Sequence, residues 1–217
     1  MTPTEIATMA RQIYNAVGDD FFSDELLYNF MFGAQLEAAQ EAFCIENVYT
    51  ADSVASQQQY SFPTNAIGIK NLKYSGRELD KISQQEFDSI TYGQSTAPTG
   101  TPRAYWQWGS NIYLYPTPDT STTGAIQIFT YDKPQAVTVS STLDLDSQFH
   151  IDVVNYIVAK MFAMDQNTAM SDRYQALWEQ GKKRVCEWSK KKRRGDKMAV
   201  VQRDDIVPIS ARLFRWW

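Results

Sequence analysis

Residues able to do chemistry are few in this chain, and their spacing limits what they can do. The one histidine, His150, stands at the start of an apolar helical pattern. Ser/His or Cys/His catalysis would have to run through it, because imidazole is the side chain whose proton moves near neutral pH. No nucleophile motif stands beside it, so His150 reads as a structural or capping residue. Cys44 and Cys186 have neither metal nor redox spacing, which suits buried thiols in a reducing compartment. Asp144 and Asp146 could supply half of a Ca²⁺ or Mg²⁺ site, but no companion cluster offers the remaining oxygens. Helix capping is the better reading. Phosphate-binding, dinucleotide-binding and His-Glu-x-x-His patterns do not occur. The sequence therefore predicts no catalysis, no cofactor and no metal.

What remains is binding. Residues 1–181 carry 9 Lys/Arg and 21 Asp/Glu, a net −12, whereas residues 182–217 carry 12 and 4, a net +8. An acidic body thus precedes a basic end. Within that end, Lys190, Lys191, Lys192, Arg193 and Arg194 form the densest run, preceded by Lys182, Lys183 and Arg184 and followed by Lys197. Such a run contacts nucleic acid or an acidic protein surface, or it only solvates the last turns of a helix, where cations suit the dipole. Trp106 and Trp108 alternate along a strand pattern and share a face. They can stack on sugars or bases, or pack the sheet onto helices. From Gly195 to Trp217 there is no period. Yet the chain ends in Leu213, Phe214, Arg215, Trp216 and Trp217, and large apolar groups are costly to leave in water at about 25 cal/mol per Å². These residues either fold back on their own subunit or form a docking arm. The arm is the expectation, with Ile206, Val207 and Ile209 running extended against a partner's edge. Arg215, Trp216 and Trp217 would be its centre, since Trp and Arg dominate hot spots.

The elements that position these residues follow from period and caps. At 217 residues, 43% hydrophobic and 13% aromatic, the chain can bury a real core as one elaborated domain or two small ones. The start lacks a basic-then-apolar signal layout, and no apolar run approaches the roughly 18 residues of a membrane span. Thr2, Pro3 and Glu5 make a capping box for a first helix with Ile6, Met9, Ala10, Ile13 and Val17 inward and Gly18 as its stop. Ser23 caps a second helix, whose Leu27, Phe30, Met31, Ala34 and Ala38 form one stripe while Leu26, Phe32, Leu36 and Phe43 spread apolar surface to other faces. That surplus is central core or is shared with a partner. Residues 53–59 read as a loop, Ala66 to Tyr74 as a strand, Ser75-Gly76-Arg77 as a turn, and Ser83 as the cap of a short helix with Phe87 and Ile90 inward. Pro102 to Pro134 reads as a hairpin about Gly109-Ser110-Asn111, continued by a third strand, Ala125 to Tyr131, in a meander. Asp146 or Ser147 caps a third long helix from Phe149 to Met164. A fourth begins near Thr168 or Ser171, with Tyr174, Leu177, Trp178, Gly181, Val185 and Trp188 at helical spacing. The expected class is α+β. A four-helix, bundle-like body (1–46 and 143–194) carries an antiparallel β-rich insertion (47–142) between its second and third helices, and an extended C-terminal tail (195–217) follows.

A family resemblance rests on the order of several segments. These are Tyr74-Ser-Gly-Arg-Glu-Leu79, Pro102-Arg103-Ala-Tyr105-Trp, Ile112-Tyr-Leu-Tyr-Pro116-x-Pro118, Thr130-Tyr131-x-x-Pro134, and a helix opening Phe149-His-Ile-Asp-Val-Val. Over roughly residues 20–190 the chain resembles the head-to-tail adaptor (connector) proteins of tailed bacteriophages. The resemblance implies a structural virion protein made in the host cytoplasm and placed at the head-tail junction. It implies a homo-oligomeric ring, commonly of twelve subunits, between the portal and a tail or nozzle protein. Genomic DNA would pass through the lumen without sequence specificity, and a C-terminal extension would reach the portal. Two other classes stay open: a nucleic-acid-binding module using the basic end, and a carbohydrate-binding tail component using the aromatic sheet.

Overall fold

The computed structural model describes residues 1–15, 21–92 and 98–201, with side chains as far as Arg193. Its helices are α1 (Pro3–Tyr14), α2 (Asp24–Ala42), α3 (Gln84–Thr91), α4 (His150–Met164) and α5 (Thr168–Val201). Its strands are β1 (Glu46–Ser53), β2 (Gln59–Ser61), β3 (Ala66–Tyr74), β4 (Arg77–Glu78), β5 (Asp80–Lys81), β6 (Ala104–Trp108), β7 (Asn111–Tyr115) and β8 (Thr122–Asp132). Among the described residues the fold is α+β, with five helices and two four-stranded sheets.

The helices start where caps supply oxygen to free N–H groups. The Thr2 hydroxyl accepts the Glu5 N–H at 3.2 Å while the Glu5 carboxylate accepts the Thr2 N–H at 2.8 Å. Ser83 and Glu86 repeat this reciprocal box at α3. Ser23 caps α2 through the Leu26 N–H, and Asp146 caps a 3₁₀ turn that leads into α4. One stop differs from the sequence expectation. α1 ends at Tyr14, where Asn15 takes a left-handed conformation (φ 66°) and its N–H closes on Arg11 and Gln12 carbonyls. Asn tolerates that region through its short polar side chain. Val17 and Gly18 lie outside the described residues, and Ile13 is 40% exposed.

α4 packs against α1, α2 and α5. Ile6, Leu27, Met31, Val153, Ile157, Met161, Trp178 and Val185 form the centre of their shared core. A helix touching three others must be apolar on most sides, as α4 is. α3 does not join them; Phe87 holds it to the β layer.

The β layer departs from the expected meander. β6 and β7 do form the hairpin, with Trp108 opposite Asn111, so the connection is Gly109-Ser110, one residue shorter than expected. Gly109 has φ +58°, which suits a tight turn. β8 then leaves that sheet. It is a central strand of the other one, in order β1-β8-β3-β4, while the hairpin lies in β2-β7-β6-β5. Pro116 and Pro118 interrupt the ladder after β7, which frees the chain to cross between sheets. The sheets pack face to face around Leu72, Tyr105, Ile112, Leu114, Ile126 and Ile128. β1, a strand that was not expected by itself although it opens the β-rich stretch, is an edge strand and largely exposed, so its sequence carries little apolar alternation. α5 continues through Gly195 to Val201, past the basic run at which an extended tail was expected to begin.

Candidate functional site

α5 carries the basic run, and its helical phase sorts those residues by direction. Trp178, Val185 and Ser189 are buried at helical spacing, and Lys182 falls on the same stripe. Its ammonium reaches Glu179 at 3.0 Å, Glu41 at 3.4 Å and Glu37 at 3.8 Å. Burial opposes that charge, but the three carboxylates outweigh it and push the Lys182 pKa up. Lys183, Lys190 and Lys191 face solvent, whereas the exposed Arg184 turns its guanidinium to α4. Lys192 turns to Glu46 at 3.3 Å and lies over the Trp188 ring, and the Arg193 guanidinium lies over Tyr131. The run is thus divided between a solvent stripe and the junction with the sheets. The Arg194 side chain and the whole docking arm, Ile206, Val207, Ile209, Leu213, Phe214, Arg215, Trp216 and Trp217, lie outside the described residues.

Two polar seams fix α5 against the body, and neither stood out in the sequence. Asp152 on α4 is buried and accepts a 2.5 Å bond from Arg184. Burial raises its pKa and Arg184 opposes the rise. Gly181 makes this approach possible, since a Cβ there would lie 2.6 Å from the Asp152 Cγ. Beside it, Glu37 accepts the Trp178 indole N–H at 3.0 Å and the Tyr156 hydroxyl at 3.1 Å. Burial, with Glu37 alongside, pushes the Tyr156 pKa up to about 12, so the phenol stays a donor. A glycine inside an apolar helical stripe was the one available signal.

The groups considered for chemistry are engaged structurally. His150 is buried, and its Nε2 donates to the Leu145 carbonyl at 3.0 Å, since a carbonyl only accepts. Its Nδ1 lies 3.1 Å from the Met1 amine. Asp146 accepts the Gln148 N–H as the cap of the 3₁₀ turn, whereas Asp144 accepts the Gln135 N–H of the loop after β8 at 2.7 Å and caps no helix, contrary to the capping expected of it. Trp106 stacks between Phe87 (3.9 Å) and Tyr113 (5.1 Å). Trp108 on the same face is 63% exposed, so α3 covers only part of the aromatic surface. A buried carboxylate, Asp132, was also missed. It accepts from Thr130, Asn47 and Tyr49, tying β8 to β1.

Cys44 and Cys186 are free and half-buried, and burial pushes the Cys44 thiol up to about 11. A thiol at that value is thiolate at about one part in 1,000 at pH 8, against roughly a quarter for an ordinary cysteine. A thiolate of higher pKa is also more nucleophilic, by roughly tenfold here, so Cys44 is expected to react with a thiol-labelling reagent at least about tenfold slower than a free cysteine. A Cys186→Ser variant labelled by stopped flow isolates it. Labelling at the free-thiol rate would contradict the burial.

No helix among the described residues is long and apolar enough to cross a membrane. No curated protein matches the chain. A family model described as SU10 adaptor protein matches residues 1–203. Since that match spans nearly all of the 217 residues, the chain belongs to the SU10 adaptor protein family, a family of bacteriophage adaptors found in the virion.

Proposed function

We propose that this adaptor is a structural, non-catalytic virion protein that forms a closed ring at the head-tail junction. The ring, of twelve subunits as the resemblance implies, would join the portal to a tail or nozzle protein and line the channel through which DNA leaves. The observation that carries this is the family match over residues 1–203. The engagement of both His150 nitrogens in structural contacts is in keeping with this reading. The helical layer would be the bundle-like body, residues 47–142 the β-rich insertion, and the residues after α5 the docking arm to the portal. The net −12 of residues 1–181 suits a channel wall along which DNA slides without sticking.

A second reading has one observation in its favour. The solvent stripe of Lys183, Lys190 and Lys191 on α5 could contact phosphates as a nucleic-acid module. Size separates the two. The adaptor is expected to give rings in images of the purified protein or of its portal complex, and density between portal and tail in particles. A monomer in every setting, binding DNA with steep salt dependence, would refute the adaptor reading.

A further inference from the structure

The two sheets share one core, so their outer faces point in opposite directions. On the first sheet Val48, Phe129 and Lys73 stand outward, alternating with inward Tyr49, Ile128 and Leu72. Lys73 lies 5.1 Å from the Phe129 ring centroid. Lys70 and Lys192 converge on Glu46 at 3.2 and 3.3 Å, and Arg193 lies over Tyr131 nearby. Two of these cations share Glu46, and Lys73 stands opposite Glu78 in the β3–β4 register, so four cations face two carboxylates. Between them is a hollow of about 410 Å³ with Val48 and Phe129 in its lining, and Val48 is 50% exposed.

The opposite face has the complementary character. α3 lies on the outer side of the second sheet, held by Phe87 against Trp106 and Tyr115. It contains Glu86 and Asp88 and no Lys or Arg, and none of its residues is buried. Ile90 is 48% exposed. With Ile82 and Glu86 it borders a second hollow of about 550 Å³. An apolar, anionic helix on one face and an apolar, cationic hollow on the other cannot satisfy each other within one subunit. Pairing like faces would set cations against cations. A head-to-tail contact between copies matches the two, and such contacts close into rings when the rotation permits.

We propose that neighbouring copies meet through the β layer, with α3 of one copy seated on the outer face of the β1-β8-β3 sheet of the next, Glu86 and Asp88 facing Lys70 and Lys73. This inference rests on the ring reading above and names the surfaces that make the ring. Complementary charge of this kind sets register and suppresses wrong partners.

Charge reversal tests it. Lys70→Glu with Lys73→Glu makes one face anionic, and Gln85→Lys with Asp88→Lys makes the other cationic; Glu86 is left in place because it caps α3. Each double variant, read by mass photometry, is expected to need at least tenfold more protein to form rings. An equimolar mixture of the two is expected to recover them, because alternating copies restore every contact around an even-numbered ring. Wild-type rings that survive both reversals, or a mixture that stays dispersed, would overturn this contact and leave the ring intact as a conclusion. A wild-type protein that never forms rings, alone or with portal, would overturn the ring itself. Val48→Arg gives the same readout should a double variant fail to fold. Unchanged rings in that variant would count against the proposal.

Discussion

A chain ending at residue 204 is expected to fold as the full-length protein does and to fail to join the portal. α5 stays helical to Val201, and the residues that anchor it, Trp178, Val185 and Ser189, all precede the cut. Nothing in the helical core or in the β layer is removed. The segment lost contains Ile206, Val207, Ile209, Leu213, Phe214, Arg215, Trp216 and Trp217. Interface Trp and Arg residues cost about 2 kcal/mol or more each on truncation, and every 1.4 kcal/mol is about tenfold in affinity. Trp216→Ala with Trp217→Ala alone is therefore expected to weaken portal binding on the order of 1,000-fold. A thermal melt and a portal pull-down check both halves. A truncated chain that still binds the portal normally, or that does not fold, would show that these residues are not a docking arm.

Gly181→Ala is expected to destabilise the fold by about 3 kcal/mol or more, although helix propensity alone predicts a gain of about 1 kcal/mol. The sign turns on a distance. An added methyl would stand 2.6 Å from the Asp152 Cγ and 2.7 Å from its Cβ, on the neighbouring helix α4. Relief requires α4 and α5 to separate, and overpacking of this kind typically costs 1–3 kcal/mol, occasionally more. It also pulls Asp152, buried and bonded to Arg184, away from its partner. A buried charge losing its partner is strongly destabilising, by roughly 3–5 kcal/mol when the partner is removed outright. Urea unfolding of the two proteins measures the difference. A variant as stable as wild type would mean that the helices are not held this closely.

Gly181 also marks how far the sequence could be read. Its place in the spacing of Trp178 and Val185 pointed inward, correctly, but nothing local tells which residue it must admit. Caps behaved differently. Thr2, Ser23 and Ser83 were legible because a cap is settled within three residues, whereas Asp146, offered with Ser147 as the cap of α4, caps the 3₁₀ turn before it and α4 itself has no side-chain cap. β3 was legible too, with both ends where expected. The choice of sheet by β8 was not, because strand partners are far apart in sequence and each ladder has the same local pattern. β1 escaped notice because an edge strand with mostly exposed residues lacks the alternation that betrays a strand. In the basic run, composition announced a patch, whereas helical phase assigns Lys182 to the buried stripe with Trp178 and Val185 and leaves Lys183 outside. Counting charge without phase merged residues that point in different directions.

α5 still touches the sheets at Lys192 and Arg193, and its backbone stays helical to Val201. From Arg193 to Val201 the helix advances about 12 Å at 1.5 Å per residue. A helix is a screw, so the heading of whatever follows depends on its length as well as its position. Each added residue advances the exit point by about 1.5 Å and swings it by about 100°. A change of one or two residues between Arg193 and Val201 would send the chain out on another side of the molecule. A change close to a whole turn would keep its bearing and alter only its reach. Length variation tolerated in this stretch should therefore come in steps of three or four residues.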